Sequence, residues 1–435
     1  MPNSFPYKSQ LEFPVIGLEA EFKVFVDGEE AAPESVWRTP AGLVDRPLLK
    51  RTSKSLQLPT GGALYFDGGV LEVVTPVIEI APQCTARVVR SLWEQIGFVR
   101  EQLDRWEART GRTARLQAFS CHVNISFELP REERGRDRTI QKLAVLLAHL
   151  LPVPAIVVGA NRRSTGVGVR PRRERIEVTI DFTPDPGLMA ATVALIVGVA
   201  RDVIAWPSYR LGELDARGVA RPAGVAPGRH PSRKGWITKD FHFPRNPFAG
   251  DPDAATWRTI DGRTMSLRAM ARETVMIFRD AIRRVSDPFS YRLLLSIVRG
   301  ETPSLLDLDD RPAAYDDVGR TTRWGSVLPE LHNFRALMRD AGATGGPRRR
   351  RDDLEEKLAP PWSDERYRRL ARSAYEKVFL ALGTRSRFHV DGEVLTPVGV
   401  KGWYHSVLRG ADGTDRLVSI DQLRGCNTDP RDAKR

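Results

Sequence analysis

The sequence has only three cysteines in 435 residues, Cys84, Cys121 and Cys426, and they lie far apart. This spacing excludes both a disulfide framework and a Cys-x-x-Cys zinc signature. The chain must therefore be stabilised by packing, and its length is sufficient for a large core divided over two or more domains.

Long apolar runs are also missing. The longest, Leu188 to Ala200, has 13 residues and ends at Arg201, whereas a bilayer span needs about 18 or more. It predicts a buried helix. The first ten residues lack the apolar centre of a signal peptide. We therefore expect a cytoplasmic protein with no membrane partner.

Acidic residues are outnumbered by basic ones, 55 against 67, which gives a formal charge of +12 at pH 7. This charge favours an anionic partner such as a nucleotide, a nucleic acid or an acidic protein. With 41% hydrophobic and 28% charged residues, the composition is that of a folded chain and excludes a largely disordered one.

The segment from Ile16 to Val26 places apolar residues at every second position and three charged residues between them, which predicts a β-strand. Its apolar face consists of Ile16, Leu18, Ala20, Phe22, Val24 and Val26. The opposite face carries Glu19, Glu21 and Lys23. At roughly 3.3 Å rise per residue, the two carboxylates lie about 6–7 Å apart, a spacing that suits neighbouring metal ions.

Three later stretches repeat this arrangement of one apolar and one polar face: Ala63 to Pro76 with Glu72 behind an Asp67-Gly68-Gly69 turn, Ala118 to Leu129 with His122 and Asn124, and Arg175 to Thr183 with Glu177 and Asp181. Alternation alone is typical of an antiparallel sheet with one solvated face. These polar faces, however, carry short oxygen and nitrogen ligands, and the arginines lie in an adjoining loop, Asn161 to Arg173. The composition predicts a concave site for divalent cations and phosphates.

The remaining signals predict an α+β fold, an antiparallel sheet covered by helices. Helices are expected over residues 85–109, 139–151, 188–206, 265–285, 291–298 and 363–382, the last with Ser363 as N-cap and Gly383 as C-cap, and a short buried strand over 155–160. We predict a catalytic domain over 1–340, a basic linker over 341–362, and a helix with a small β-rich appendage over 363–435.

The order of these motifs resembles the carboxylate-amine ligases of the glutamine synthetase fold, in particular the glutamate-cysteine ligase and bacterial amidoligase branches. The resemblance covers residues 13–210. It rests on Gly-x-Glu-x-Glu-Phe at Gly17, Glu-Val-Val-Thr-Pro at Glu72, His-Val-Asn-Ile at His122 and an acidic strand followed by Pro184-Asp185. It implies that the antiparallel sheet curves into a catalytic funnel.

The resemblance also implies a reaction. ATP phosphorylates a substrate carboxylate, and an amine then displaces phosphate to form an amide or isopeptide bond, with Mg²⁺ or Mn²⁺ ions neutralising the phosphates. It implies metal binding by Glu19, Glu21, Glu72 and His122. It further implies catalytic roles for Glu72, Arg175 and Asp181, and nucleotide binding by His122, Asn124, Arg162, Arg163, Arg170 and Glu177.

Two motifs depart from the family pattern. A His-x-His motif is His122-Val-Asn124 here, and a strand that usually reads Glu-x-Arg is Asp181-Phe-Thr183. The phosphate-stabilising arginine is then expected from Arg175, or from Arg162, Arg163 or Arg170 in the preceding loop. The positive charge and the large second half favour a bulky or acidic substrate, such as a peptide or protein.

Two other functions fit the same residues. A nucleic-acid- or polyanion-binding protein would use the Arg-rich loops and leave the sheet carboxylates as structure. A metal-dependent phosphotransferase or ATP hydrolase would use the carboxylates without an amine acceptor.

Overall fold

The computed structural model describes residues 11–52, 54–231, 234–307, 315–320 and 372–429. The strands are β1 (Val15–Val26), β2 (Glu29–Ala31), β3 (Leu49–Thr52), β4 (Ser55–Gln57), β5 (Ala63–Asp67), β6 (Val70–Val74), β7 (Ile78–Glu79), β8 (Ala114–Ser126), β9 (Val167–Pro171), β10 (Arg175–Asp181), β11 (Gly228–Arg229), β12 (Trp236–Thr238), β13 (Trp257–Arg258), β14 (Thr264–Met265), β15 (Arg387–Val390), β16 (Glu393–Lys401), β17 (His405–Arg409), β18 (Asp415–Ser419) and β19 (Thr428–Asp429).

The helices are α1 (Pro33–Trp37), α2 (Pro40–Leu43), α3 (Cys84–Thr110), α4 (Arg131–Arg134), α5 (Ile140–Leu150), α6 (Pro152–Gly159), α7 (Pro186–Ile204), α8 (Gly212–Ala216), α9 (Leu267–Ile277), α10 (Arg279–Val285), α11 (Pro288–Val298), α12 (Ala374–Gly383) and α13 (Ile420–Leu423), with 3₁₀ turns at Asp240–His242 and Leu305–Asp307. The predicted mixture of helices with antiparallel strands and a small C-terminal sheet is confirmed. The catalytic funnel stays a prediction.

The chain forms two compact units, each assembled from separate segments. Unit 1 comprises residues 1–80, 91–115 and 371–435, and unit 2 comprises residues 81–90 and 116–370. The division falls inside α3 and near the start of β8. The predicted boundary at residue 340 and the linker over 341–362 lie outside the described residues, so the predicted domain division stays a prediction.

Strand β1 is the centre of the antiparallel sheet in unit 1. It pairs with β2, β6 and β7, and the sheet continues from β6 through β5 and β4 to β3. The predicted alternation is confirmed, because its apolar face is buried: Ile16, Leu18, Ala20, Phe22, Val24 and Val26 are 0–3% exposed. The predicted hairpin is also confirmed. Strands β5 and β6 are joined by Gly68 and Gly69, whose φ angles of 61° and 90° favour glycine.

The C-terminal part of unit 1 is a five-stranded sheet in the order β18-β17-β16-β15-β19, packed with α12 and α13. The helix predicted over 363–382 does not run unbroken to Leu382, because residues 372 and 373 are not helical. Helix α12 begins at Ala374, because Ser373 and Glu376 form a reciprocal capping box, and its C-cap is Thr384 rather than Gly383. Ser363 lies outside the described residues.

In unit 2 the antiparallel sheet runs in the order β8-β10-β9-β12-β11. The polar face of this sheet is buried rather than solvated. Ser120, His122 and Asn124 on β8 are 0–6% exposed, and Glu177 and Asp181 on β10 are 0–2% exposed. A buried polar group must find a hydrogen-bond partner or a ligand. These buried residues are therefore stronger candidates for a binding site than solvent-exposed polar residues would be.

Two predicted elements of unit 2 have a different structure. Residues 155–160 were predicted as a buried strand, but they lie mostly in helix α6. The reason is that Pro152 and Pro154 occupy its first turn, where proline needs no backbone N–H. The helix predicted over 265–285 is two helices, α9 with Ser266 as N-cap and α10, separated at Phe278.

Helix α7 is long and apolar enough to cross a membrane, yet nearly all of it is buried inside the protein. This burial agrees with the core helix predicted over the same segment. Helices α5 and α6 would reach a similar length only as a pair, and they are bent by 54° to one another.

Candidate functional site

Three carboxylates share one face of the sheet in unit 1. Glu21 on β1 is paired directly opposite Glu72 on β6, and Glu19 lies two residues before Glu21 on the same face. Directly opposed side chains have Cβ atoms about 4.5–5.5 Å apart. All three are half-buried. We call Glu19, Glu21 and Glu72 the carboxylate face.

Lys23, the basic residue on this side of β1, pairs with an acidic residue outside the carboxylate face. Lys23 Nζ donates to Glu30 Oε2 on β2 over 3.0 Å. Because like charges on opposed strand positions repel, Glu21 and Glu72 make this part of the sheet attractive to cations. Carboxylate oxygens are the ligands that Mg²⁺ and Mn²⁺ prefer. The donor set therefore fits a hard divalent cation.

The same sheet face continues through aromatic and polar side chains. Tyr65 on β5 is opposite Glu72, and Ser55 on β4 is opposite Tyr65. The Arg51 guanidinium lies 5.9 Å from the centre of the Tyr65 ring, and its Nη1 donates to Gln57 Oε1 over 2.9 Å. The carboxylates are thus bordered by groups that can bind a planar or anionic ligand.

A loop of the C-terminal sheet borders β1 at the same face. Trp403 lies so close to Gly17 that a Cβ at position 17 would be 3.1 Å from Trp403 Cζ2. Arg51 Nη2 also donates to Gly402 O over 3.1 Å. Trp403 was not among the predicted site residues, although the run Gly402-Trp403-Tyr404 between two β segments was a visible signal.

Unit 2 contains a buried polar cluster, which we define as His122, Asn124, Arg170, Arg172, Arg175 and Glu177. At its centre the Glu177 side chain is 0% exposed and forms ion pairs with Arg170 and Arg172, the latter over 2.7 Å. Burial of a carboxylate at this depth requires such pairing. Glu177 therefore positions two guanidinium groups.

His122 and Asn124 are placed in this cluster by strand register. They lie opposite Thr179 and Glu177, respectively, across the β8–β10 pair. His122 Nε2 is 3.4 Å from Arg170 Nη2, and Arg175 Nε donates to Asn124 Oδ1 over 2.7 Å. Among the described residues, the buried Asn124 Nδ2 has no hydrogen-bond partner. Such an amide is a candidate donor to a bound ligand.

His230 lies in the same region, although it was not among the predicted site residues. Burial lowers the pKa of His230 to about 4, and the positive charge of Arg170 contributes to the lowering. Its imidazole is therefore neutral at physiological pH and carries one donor and one acceptor nitrogen.

Two other predicted site residues fasten a loop. Asp181 accepts hydrogen bonds from Asn161 N (3.1 Å) and Ser164 Oγ (3.0 Å). Arg162 donates from Nη1 to the backbone carbonyls of Phe248 (3.0 Å) and Gly250 (3.2 Å). These contacts are structural, and the predicted catalytic role of Asp181 and nucleotide contact of Arg162 stay predictions. Arg163 is exposed.

Each unit gathers several of the predicted residues. Unit 1 gathers the three predicted glutamate ligands, and unit 2 gathers His122, Asn124, Arg170, Arg175 and Glu177. Whether each binds metal or nucleotide stays a prediction.

No protein-family model matches the chain, and no curated protein matches it. Among solved structures, the chain is similar to the crystal structure of the complex between the prokaryotic ubiquitin-like protein Pup and its ligase PafA. The TM-score is 0.44 and the identity 12%, over 96% of this chain and 91% of that chain. A likeness at this level says nothing about the substrate or reaction of this chain.

Proposed function

We propose that this protein is an ATP-dependent carboxylate-amine ligase that forms an amide or isopeptide bond. The observation that carries the proposal is the carboxylate face, with Glu21 directly opposite Glu72 and Glu19 beside them. Two of the motifs that resemble this class of ligase, at Gly17 and at Glu72, lie on the same strands.

Glu19, Glu21 and Glu72 would hold divalent cations, Mg²⁺ or Mn²⁺. Bound there, the cations would supply charge neutralisation for the polyphosphate of ATP. A sheet suits this task because paired backbones fix the carboxylate positions before the ligand binds, and preorganised charges lower the cost of phosphoryl transfer.

We assign the cluster of unit 2 to binding an anionic group of the substrates, either a phosphate or a carboxylate. Arg170 and Arg175 are better candidates than Arg162 for the missing family arginine. Arg170 is buried beside His122, and Arg175 is bonded to Asn124, whereas Arg162 is bonded to backbone carbonyls. Guanidinium groups held in this way bind anionic oxygens without further ordering.

The chemical steps follow from the proposed class. A substrate carboxylate oxygen attacks the γ-phosphorus of ATP, the bond to the β-phosphate oxygen breaks, and ADP leaves. An amine nitrogen then attacks the acyl carbon, the bond to the phosphate oxygen breaks, and the nitrogen loses a proton. The products are an amide, ADP and inorganic phosphate. The positive charge of the chain favours an acidic peptide or protein as one substrate.

Hydroxylamine tests this proposal, because it attacks an activated carboxylate and leaves a stable hydroxamate. The protein would be incubated with ATP, Mg²⁺, hydroxylamine and L-glutamate, L-aspartate or short acidic peptides. We expect hydroxamate that depends on one of these carboxylates, and a loss of about a hundredfold or more in Glu21→Gln and Glu72→Gln. Glu30→Gln is the matched control, because Glu30 is a carboxylate of the same sheet that pairs with Lys23.

Three results would contradict the proposal. Phosphate release from ATP without a carboxylate and without hydroxamate would indicate a hydrolase or phosphotransferase. Equal activity of Glu21→Gln, Glu72→Gln and Glu30→Gln would show that turnover does not depend on the carboxylate face. Absence of ATP turnover together with steeply salt-dependent nucleic-acid binding would indicate a polyanion-binding protein.

A further inference from the structure

The loop between β16 and β17 is fixed against the strand that carries Glu19 and Glu21. Gly402 adopts φ 62°, which turns the chain sharply after Lys401. Arg51 Nη2 binds its carbonyl, and the Tyr404 carbonyl accepts a hydrogen bond from Ile420 N over 2.9 Å. The loop is therefore held at both ends.

Trp403 is the side chain that this loop presents to β1. It is half-buried, with part of its surface on the core of the C-terminal sheet and its six-membered ring against Gly17. A Cβ at position 17 would lie 3.1 Å from Cζ2, so a side chain there would force the indole to shift by at least a few tenths of an ångström. The glycine thus creates the space that the indole occupies.

Gly17 and Glu19 lie on the same face of β1, since side chains two residues apart point the same way. Their separation along the strand is about 6–7 Å. The indole therefore lies at one end of the carboxylate row that we propose for the polyphosphate. A ligand with a polyanionic end and a planar aromatic end matches this order of groups.

We propose that Trp403 binds the planar base of the nucleotide by stacking, so that the C-terminal sheet forms part of the nucleotide site. This inference rests on the proposed function, which places the polyphosphate at the carboxylate face. Stacking on an aromatic side chain suits any base, because every base has a π-face. The stacking contact contributes affinity for the base, and the cations held by the glutamates contribute affinity for the polyphosphate.

Calorimetric titration with two ligands separates these contributions. Mg·ATP has both a base and a polyphosphate, whereas Mg·tripolyphosphate has only the latter. We expect Trp403→Ala to weaken ATP binding by about 5- to 150-fold and to change tripolyphosphate binding by less than about twofold. Trp403→Phe keeps a stacking surface and should remain within about tenfold of the wild type for ATP.

Phe13→Ala is the matched control. Phe13 is a partly exposed aromatic residue of unit 1 with Arg424 4.1 Å from its ring centre. Its removal should leave both affinities unchanged. Gly17→Ala should weaken ATP binding in the same direction as Trp403→Ala but by less, because its methyl group would shift the indole by only a few tenths of an ångström. Melting curves of each variant check that the fold is intact.

Two results would overturn the inference alone: unchanged ATP affinity in Trp403→Ala, or an equal loss of ATP and tripolyphosphate in a folded variant, which would mean a purely structural role. Binding of neither ligand by the wild-type protein would refute the proposed function and the inference with it.

Discussion

The opposed glutamates make a prediction about stability that needs no knowledge of the substrates. If Glu21 and Glu72 face each other, their substitutions by glutamine must couple energetically. A double-mutant cycle of Glu21→Gln, Glu72→Gln and the double variant isolates this pairwise term, whatever other groups each side chain contacts.

The expected magnitude follows from the register. Directly opposite strand positions place the Cβ atoms about 4.5–5.5 Å apart, and like charges there cost roughly 0.2–1 kcal/mol. Coulomb's law at about 5–6 Å gives a similar value with the dielectric constant of water and about 3 kcal/mol at an effective value near 20. Because both side chains are half-buried, we expect a repulsive coupling of about 1 kcal/mol at low salt.

Urea unfolding of the four proteins, without divalent cations, measures this coupling. The first substitution should relieve the repulsion, so the second should bring less benefit or more cost than it does in the wild-type protein. The coupling should fall by half or more in about 1 M salt, because the charges are partly exposed. A coupling below about 0.2 kcal/mol at low salt, with unchanged m-values, would refute the opposed arrangement.

Three further predictions concern the fold. Phe22→Ala should lower the free energy of unfolding by about 3–5 kcal/mol, because Phe22 is fully buried. Phe241→Ala should change it by less than about 0.5 kcal/mol, because that side chain is 72% exposed. Denaturant titration of both variants measures the difference. Burial raises the pKa of Cys84 to about 11, and Cys121 is fully buried, whereas Cys426 is half-buried with a pKa that burial also raises. At mildly alkaline pH a thiol reagent should therefore label Cys426 before the other two cysteines in the native protein, and all three in urea. Burial lowers the pKa of His149 and His230, that of His230 to about 4, so the unfolded chain takes up protons at a higher pH than the native protein does. Stability should therefore fall as the pH drops from about 6.5 towards 4, by about 1 kcal/mol for His230 after allowing for its partial exposure. A rise in stability over this range would contradict the reasoning.

Alternation along single strands was the most reliable signal in the sequence. The buried face of β1, the Asp67-Gly68-Gly69 hairpin and the helix α3 all follow from local patterns, because side-chain period and turn chemistry act over a few residues. Helix α6 was not predicted because Pro152 and Pro154 follow directly on the helix predicted over 139–151, where proline commonly ends a helix, yet proline is equally compatible with the first turn of a new one.

The candidate site was predictable only in part, because strand register depends on tertiary structure. The sequence placed Glu21 and Glu72 on polar faces, but their direct opposition depends on the β1–β6 pairing. The ion pairs of Glu177 with Arg170 and Arg172 likewise depend on the β9–β10 ladder and on the turn that joins these two strands. Trp403 could not be connected to Gly17, since 386 positions separate them in the sequence.

The most direct test of the central claim is ATP binding followed by thermal shift, with and without Mg²⁺, on the wild-type protein and on Glu19→Gln/Glu21→Gln. A ligand at about a hundred times its dissociation constant stabilises the native state by about 2.7 kcal/mol, which is a shift of a few degrees in a chain of this size. We predict a shift in the wild-type protein that requires both ATP and Mg²⁺ and that disappears in the double variant. An equal shift in both proteins, or none in a well-folded wild-type protein, would contradict the assignment of the carboxylate face to nucleotide and metal.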